Sequence, residues 1–392
     1  MVIIEQLVAE DVQNFINIFL SKNVNEIAFT KNPFPTISWQ VLLNQIHAKQ
    51  KAEHKLPTWY QTAHIIYPST VSVEQTSSEM TAAYKASLIE GDSLIDLSGG
   101  FGVDDYYFAK RFKAVVHCEY LEELSSIVAH NYAVLGVGNI QCVQGDSLTV
   151  LLHLNRKFDW IYVDPARRSD TNNKVFFLKD CQPDVLSNLE TYFEYTKQIL
   201  IKTSPLLDIT ATLRDLKHVR QLHIVALNNE VKELLWEVEK GYGSSITIVA
   251  TNITKDGVES VESIFGANNV ASYTLPQKYL YVPNAAIMKS GNYDALCSGL
   301  NVGKLHRHSH LFTAAEKIDF PGRSFKIEQV IPYTKNEMKA LTKTKANVAI
   351  RNFPLTVEAL NKKYKFENGG DKYYFFTTLK NEEKVVLVCS KA

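Results

Sequence analysis

The chain has 392 residues, 45% hydrophobic and 21% charged, with 42 Lys+Arg against 42 Asp+Glu. That length predicts two or three domains with a sizeable core, and the composition excludes a disordered or low-complexity protein. The zero net charge is unevenly spread: residues 289–392 carry 18 basic and 10 acidic side chains, leaving 24 and 32 in residues 1–288, so a basic tail on an acidic body suits either a nucleic-acid contact or a lysine-rich solvated surface.

Residues 1–85 read as mostly helical. Val12, Phe15, Ile16 and Phe19 recur at helical spacing, as do Trp39, Leu42, Leu43 and Ile46 after the Asn32-Pro33-Phe34-Pro35 breaker. Ser77 or Ser78 is placed to cap a helix over Met80–Leu88. From Ser93 to about Asn252 short apolar strands alternate with amphipathic helices: strands over Leu94–Leu97, Ala114–Cys118, Ile140–Val143, Trp160–Val163 and Ile199–Lys202, and helices over Val103–Phe112, Leu121–Leu135, Ser147–Leu154 and Asp184–Tyr195. This pattern predicts a parallel sheet covered on both faces. Asn229-Glu230-x-Lys232-Glu233 reads as a helix start with acidic groups at its N-terminus, and Lys255–Ala271, with Asp256-Gly257 and Gly266-Ala267-Asn268-Asn269, reads as a connector. Beyond Tyr273, strands over Tyr279–Val282, Phe325–Ile331, Asn347–Arg351, Tyr373–Thr377 and Val385–Cys389, with helices over Lys335–Thr342 and Thr356–Tyr364, predict a small α+β module.

The chemistry concentrates at the carboxyl ends of the predicted parallel strands, where ligands of open α/β sheets bind. Asp96-x-x-x-Gly100-x-Gly102 sits where the first strand turns into the first helix, and glycine there lets backbone approach a ligand closely. Position 105 is Asp, which disfavours a pyrophosphate and leaves Asp96 suited to a cationic ligand; a tight turn needing no ligand is the competing reading. Glu119, ending the second strand, is placed to accept ribose hydroxyls, or is an exposed strand-end carboxylate. Asp146 is placed either to accept from an adenine amine or to cap the following helix. His117 reads as a packed core histidine. Asp164-Pro165-Ala166-Arg167 ends the fourth strand: the proline forces an extended turn and exposes a carboxylate able to orient an attacking atom. Arg167 and Arg168 are placed to grip a phosphate or guanine edge, or to pair with the acidic body. His306-Arg307-His308-Ser309-His310 has no further ligand at metal spacing and reads as a polar edge strand or RNA-facing loop.

Asp96–Gly102, Glu119, Asp146 and Asp164–Arg167, in this order, resemble the successive motifs of class I S-adenosylmethionine-dependent methyltransferases over roughly residues 74–252. The segment Glu74–Glu79 with Tyr84-Lys85 is similar to the stretch that closes over the cofactor in that family. The tail, with Ala346–Pro354 and Asn368-Gly369-Gly370-Asp371, resembles a THUMP-like domain. The resemblance implies an α/β fold: a helical N-terminal region (1–85), a Rossmann-like S-adenosylmethionine-dependent methyltransferase domain (86–270) and a small THUMP-like α+β C-terminal domain (271–392). It implies S-adenosyl-L-methionine as cofactor, held by Thr76, Asp96, Ser98, Gly100, Gly102, Glu119, Asp146 and Asp164, and catalysis by Asp164, Pro165 and Arg167.

The chain departs from amino-group methyltransferases in having Ala166 and Arg167 where Pro and a stacking aromatic usually stand, which leaves stacking to Phe176 or Phe177. Asp-Pro-x-Arg is nearer to C5-uridine methyltransferases, but Lys202-Thr203-Ser204-Pro205 replaces their cysteine, and Cys181 reads as a buried structural residue. The expected activity is methylation of a base nitrogen of structured RNA, rRNA or tRNA, with the tail delivering the RNA. A small-molecule or protein methyltransferase and a non-catalytic RNA-binding protein are the alternatives. Scattered cysteines without a C-x-x-C pair, the absence of a basic leader and of any apolar run near the ~20 residues of a membrane span predict a cytoplasmic protein with no metal, no membrane partner and no DNA partner.

Overall fold

The computed structural model describes residues 4–27, 30–167 and 177–392. The chain divides into two compact units, Met1–Arg220 with Leu234–Ser244, and Gln221–Glu233 with Ser245–Ala392.

The first unit begins with helices, among them α1 (Glu10–Phe19), α2 (Trp39–Lys55), α3 (Thr70–Gln75) and α4 (Glu79–Leu88). Ser69 caps α3 and Ser78 caps α4, each accepting a backbone N–H in the first turn. The sheet follows: β1 (Gly91–Asp96), β2 (Phe112–Glu119), β3 (Ile140–Gln144), β4 (Trp160–Val163) and β5 (Gln198–Thr203). Helices α5 (Val103–Phe108), α6 (Glu122–Val134), α7 (Ser147–Leu154) and α8 (Val185–Tyr195) lie between these strands in the chain. Strand β1 pairs in parallel with β2 and β4, β2 with β3, and β4 with β5. All four residues of β4 are buried, as an apolar run covered on both faces requires.

The helical N-terminus shares the core of this unit. Leu7, Val12, Ile16, Ile27, Leu42 and Ile46 pack with Ile127 of α6, and Ala48, Ala52, Trp59 and Tyr67 pack with Phe101, Val103 and Tyr132 around the glycine turn. These helices therefore buttress the loop that follows β1. Gln45 exchanges hydrogen bonds with the backbone of Tyr67, and Asn131 with that of Ile66, satisfying irregular backbone that would otherwise be buried without partners.

Between residues 228 and 271 two elements differ from the sequence expectation. Residues 230–239 form a strand, β7 (Glu230–Glu239), and its part in the first unit runs antiparallel to β5. The chain reaches it from β6 (Val219–Leu227). Glu233 and Glu237 mimic an amphipathic helix in sequence, but Glu233 through Val238 are all buried, because a strand inside a sheet buries both faces. The expected connector contains β9 (Gly257–Ile264), which pairs antiparallel with β8 (Thr247–Thr254) through the two-residue turn Lys255-Asp256. Its Glu259 and Glu262 and largely exposed outer face hid it from a hydrophobicity reading. In the second unit β8 runs parallel to β6.

The second unit also holds an antiparallel-rich sheet built from β10 (Tyr279–Pro283), β11 (Phe312–Ala314), β12 (Gly322–Pro332), β13 (Asn347–Arg351), β14 (Lys372–Thr378) and β15 (Lys384–Lys391), in the order β11-β10-β12-β15-β14-β13. Helix α9 (Val357–Tyr364) packs beside β13 and β14, sharing a core of Leu360, Phe366, Tyr374, Phe376 and Val386. Residues 335–342 form a 3-10 turn over Glu337–Leu341 instead of an α-helix. No helix among the described residues is long and apolar enough to cross a membrane.

Strand β7 is pinned to β5 by Trp236, fully buried, whose Nε1 donates to Thr203 Oγ1 at 2.9 Å. Thr203→Val leaves that indole N–H buried without an acceptor and is expected to lower stability by about 1–3 kcal/mol. Urea unfolding checks this: the midpoint falls while the slope stays constant.

Candidate active site

The turn after β1 is built from two glycines in left-handed conformation, Gly100 (φ +58°) and Gly102 (φ +74°). A side chain at Gly102 would meet the Tyr132 hydroxyl at 2.1 Å, and that hydroxyl donates to Gly102 O. Gly102 is thus held by packing. A Cβ at Gly100 would meet only Ser98 O, at 3.6 Å, so the loop keeps an open cradle there. Glu119, at the end of β2, accepts the Gly100 N–H on Oε2 (2.9 Å) and the Leu121 N–H on Oε1 (2.8 Å). The carboxylate spans the cradle and the start of α6, and it uses the loop N–H that a phosphate would need. Asp104 and Asp105 stand in the first turn of α5. The Glu119 carboxylate at the cradle suits a ligand that brings hydroxyl or ammonium donors.

Asp146 is exposed and caps α7, accepting Thr149 N and Oγ1 at 2.9 and 2.8 Å. Thr76 closes α3, its N–H bonded to Ser72 O. Asp96 is only 2% exposed. Its Oδ1 accepts Ser98 N and Oγ, both at 2.7 Å, so its carboxylate shapes the loop from beneath.

Behind the loop, Asp96, Asp105 and His117 form a buried trio whose donor atoms lie within 4.8 Å of one another. The spacing would admit a metal ion, but His117 Nδ1 and Asp105 Oδ2 are at 2.7 Å and Asp96 is committed to Ser98, which reads as hydrogen bonding. Burial, then the neighbouring carboxylate, pushes Asp96 and Asp105 well above the usual carboxylate range, and burial pushes His117 down. Burial thus disfavours the charged form of each of the three groups.

Asp164 stands at the carboxyl end of β4. Its backbone N–H donates to Ser98 Oγ at 2.6 Å, and its Oδ2 takes the Lys202 ammonium of β5 at 2.5 Å. Pro165 is buried behind it. Ala166 and Arg167 pair with Cys181 and Gln182 in a short antiparallel bridge, and Cys181 is buried. The Arg167 side chain, Arg168 and Phe176 lie outside the described residues, while Phe177 is half-buried with Lys179 over its ring at 5.2 Å. Next to this end of β4 is a network that motif reading did not assemble. Lys85, fully buried on α4, faces Asp104 at 3.3 Å and donates to Ser77 Oγ, while Ser77 Oγ and Tyr162 OH donate to Asp104 Oδ2 at 3.0 and 2.8 Å. Burial pushes Asp104 up, but Lys85 and then Lys202 outweigh it and hold the group below its usual value. In sequence, Lys85 and Ser77 stood out only through the resemblance of residues 74–85 to a cofactor-closing segment, and Asp104 carried no signal of its own.

The structure thus brings Asp96, Ser98, Gly100, Gly102, Glu119, Asp164 and Pro165 to one end of the sheet. The histidine cluster is a turn in the second unit, not an edge strand. His306 is 5% exposed, its Nδ1 facing Asn352 Nδ2 at 2.9 Å and its Nε2 facing Glu382 at 3.2 Å, so packing explains it. A cleft of about 840 Å³ is lined by Gly91, Trp160 and Gln198, the first residues of β1, β4 and β5, and so lies at the amino end of these strands, opposite this site.

Because Asp105 is harder to ionise in the folded chain than its ordinary value of 3.8, its contribution to stability is present below that value and is lost as pH rises through the raised one. Asp105→Asn keeps an acceptor for His117 and removes this loss. The stability of Asp105→Asn relative to the parent protein is expected to improve as pH rises above 3.8, measured by urea unfolding across pH.

Family models match residues 279–321, a ferredoxin-like domain, and residues 322–391, a THUMP domain-like family. Among solved structures, a candidate methyltransferase from Porphyromonas gingivalis is 30% identical with a TM-score of 0.88, over 99% of this chain and 98% of that one. An rRNA methylase from Streptococcus thermophilus overlaps 41% of this chain and 94% of its own at 13% identity and a TM-score of 0.31. M. capricolum TrmK, bound to S-adenosylhomocysteine, overlaps 41% and 68% at 13% identity and 0.33. These two overlaps are too slight to bear on what this chain binds. No curated protein matches the chain significantly in sequence. With near-complete coverage of the Porphyromonas gingivalis protein and the THUMP-like match, the chain belongs to the class I S-adenosylmethionine-dependent methyltransferase family with a C-terminal THUMP-like domain.

Proposed function

We propose that the chain transfers a methyl group from S-adenosyl-L-methionine to a base nitrogen of structured RNA, rRNA or tRNA, in the cytoplasm. The observation that carries this reading is the bond from Asp164 N–H to Ser98 Oγ at 2.6 Å. It ties the carboxylate that would meet the acceptor to the loop that would hold the cofactor, so the two reactants meet at one fixed place. Gly100 and Ser98, backed by Asp96, would hold the methionine end, Glu119 the ribose, and Asp146, through the oxygen it does not use as a cap, the adenine amine. Thr76 and Gly102 would line the same pocket. When bound, the cofactor supplies an electrophilic methyl group on a sulfonium. Asp164 accepts a hydrogen bond from the attacking nitrogen and aims it, with Pro165 fixing the turn and Arg167 gripping a phosphate or base edge.

In this reading residues 1–85 buttress the catalytic domain of residues 86–270, and residues 271–392 bring the RNA. Support for the last step is the excess of 18 basic over 10 acidic residues in 289–392 together with the THUMP domain-like match. No DNA or membrane partner is proposed.

The test is incubation of the full chain with methyl-tritiated S-adenosylmethionine and total cellular RNA. Label is expected in high-molecular-weight RNA, and Asp164→Ala is expected to reduce its rate of incorporation by about a hundredfold or more. Label appearing only in protein or small molecules would replace RNA as the substrate, and label that is insensitive to Asp164→Ala would remove the role given to that carboxylate.

A further inference from the structure

Four charges, two of each sign, lie near the carboxyl end of the sheet. Lys85 Nζ faces Asp104 Oδ1 at 3.3 Å, Lys202 acts on Asp104 electrostatically, and Lys202 Nζ meets Asp164 Oδ2 at 2.5 Å. Side-chain exposure rises from 0% at Lys85 through 12% at Asp104 and Lys202 to 37% at Asp164. The set is anchored in the core and opens to solvent at Asp164. Its charges sum to zero, so Asp164 presents a fixed acceptor without a large net field.

We propose that Lys202 is a positioning residue for methyl transfer, and that through it Asp164 selects an acceptor nitrogen that carries a hydrogen. This deepens the methyltransferase reading above and rests on it. Oδ2 is committed to the ammonium and the backbone N–H to Ser98, while the side chain is 37% exposed, so the carboxylate's other oxygen is the one left to meet a methyl acceptor, and an ionised carboxylate only accepts. An exocyclic amino group or a ring N–H donates to it. An unprotonated ring nitrogen, such as N1 of adenine or N7 of guanine, presents a lone pair to that oxygen and is repelled. In the transfer the nitrogen lone pair forms the bond to the methyl carbon, and the carbon–sulfur bond breaks with its electron pair left on sulfur. The proton lost from nitrogen passes by way of Asp164 to water. Lys202 takes no part in bond making; it fixes the carboxylate's rotation, which an isolated side chain at this exposure would not hold.

The experiment compares Lys202→Met, Lys202→Arg, Asp164→Asn and the double variant Asp164→Asn/Lys202→Met in the full chain. It measures kcat, KM for RNA, S-adenosylhomocysteine affinity by isothermal titration, and the methylated nucleoside by mass spectrometry. Lys202→Met is expected to lower kcat about a hundredfold with S-adenosylhomocysteine affinity unchanged. Lys202→Arg is expected to restore most of the rate, and the double variant to be no slower than Asp164→Asn alone. The product nucleoside from the parent protein is expected to be methylated on an amino or N–H nitrogen. Multiplicative losses in the double variant, loss of cofactor-product affinity in Lys202→Met, or a product methylated at N1 of adenine or N7 of guanine would each overturn the proposal. If Lys202→Met does not fold, Lys202→Arg and the product analysis still decide. A parent protein that neither binds S-adenosylhomocysteine nor labels RNA overturns the underlying reading instead, an outcome distinct from these.

Discussion

The Ser98 hydroxyl is the joint on which the site depends. It donates to Asp96 Oδ1 at 2.7 Å and receives the Asp164 N–H at 2.6 Å. One small side chain thereby couples the loop after β1 to the turn after β4. Neighbouring parallel strands end side by side, but nothing in sheet pairing alone fixes the turns that leave them. Here the buried Asp96 carboxylate sets the Ser98 rotamer, and Ser98 sets where Asp164 begins.

That joint works because the unit tolerates several buried charges and answers each with a partner. Asp105 meets its burial by bonding to His117, and Asp96 by accepting from Ser98; Asp104 meets it by facing Lys85 and Lys202 and by accepting from Ser77 and Tyr162. The two solutions sit on adjacent residues of α5 and differ by which side of the helix meets cations. A buried charge left without its partner costs several kcal/mol, so these networks hold the loop, α4 and α5 in one arrangement. The helical N-terminus completes the frame by packing Trp59 and Tyr67 around Phe101.

The parallel strands and the ends at which ligands bind were legible because β1, β4 and β5 are short apolar runs, and because glycine and proline mark the turns that follow them. The strand β7 was not legible, since Glu233 and Glu237 in a doubly buried strand imitate helical amphipathicity. The edge strand β9 was hidden by its solvated face. Of the candidate site, the backbone-determined part (Gly100, Gly102, Asp164, Pro165) could be read from local pattern. The Lys85–Asp104–Lys202 network could not, because its members come from a pre-strand helix, the first helix of the sheet and a strand nearly a hundred residues later, and only tertiary packing brings them together. Asp146 illustrates the converse: the sequence allowed both a cap and a ligand contact, and the structure realises the cap while leaving the carboxylate exposed.

The account stands or falls on the cradle formed by Gly100 and Glu119. Isothermal titration of the full chain with S-adenosylhomocysteine, beside Glu119→Ala, addresses it directly. Stoichiometric binding by the parent protein, abolished or strongly weakened in a Glu119→Ala variant that remains folded, is the predicted result. A folded parent protein that shows no binding, or a Glu119→Ala variant that binds equally well, would contradict it.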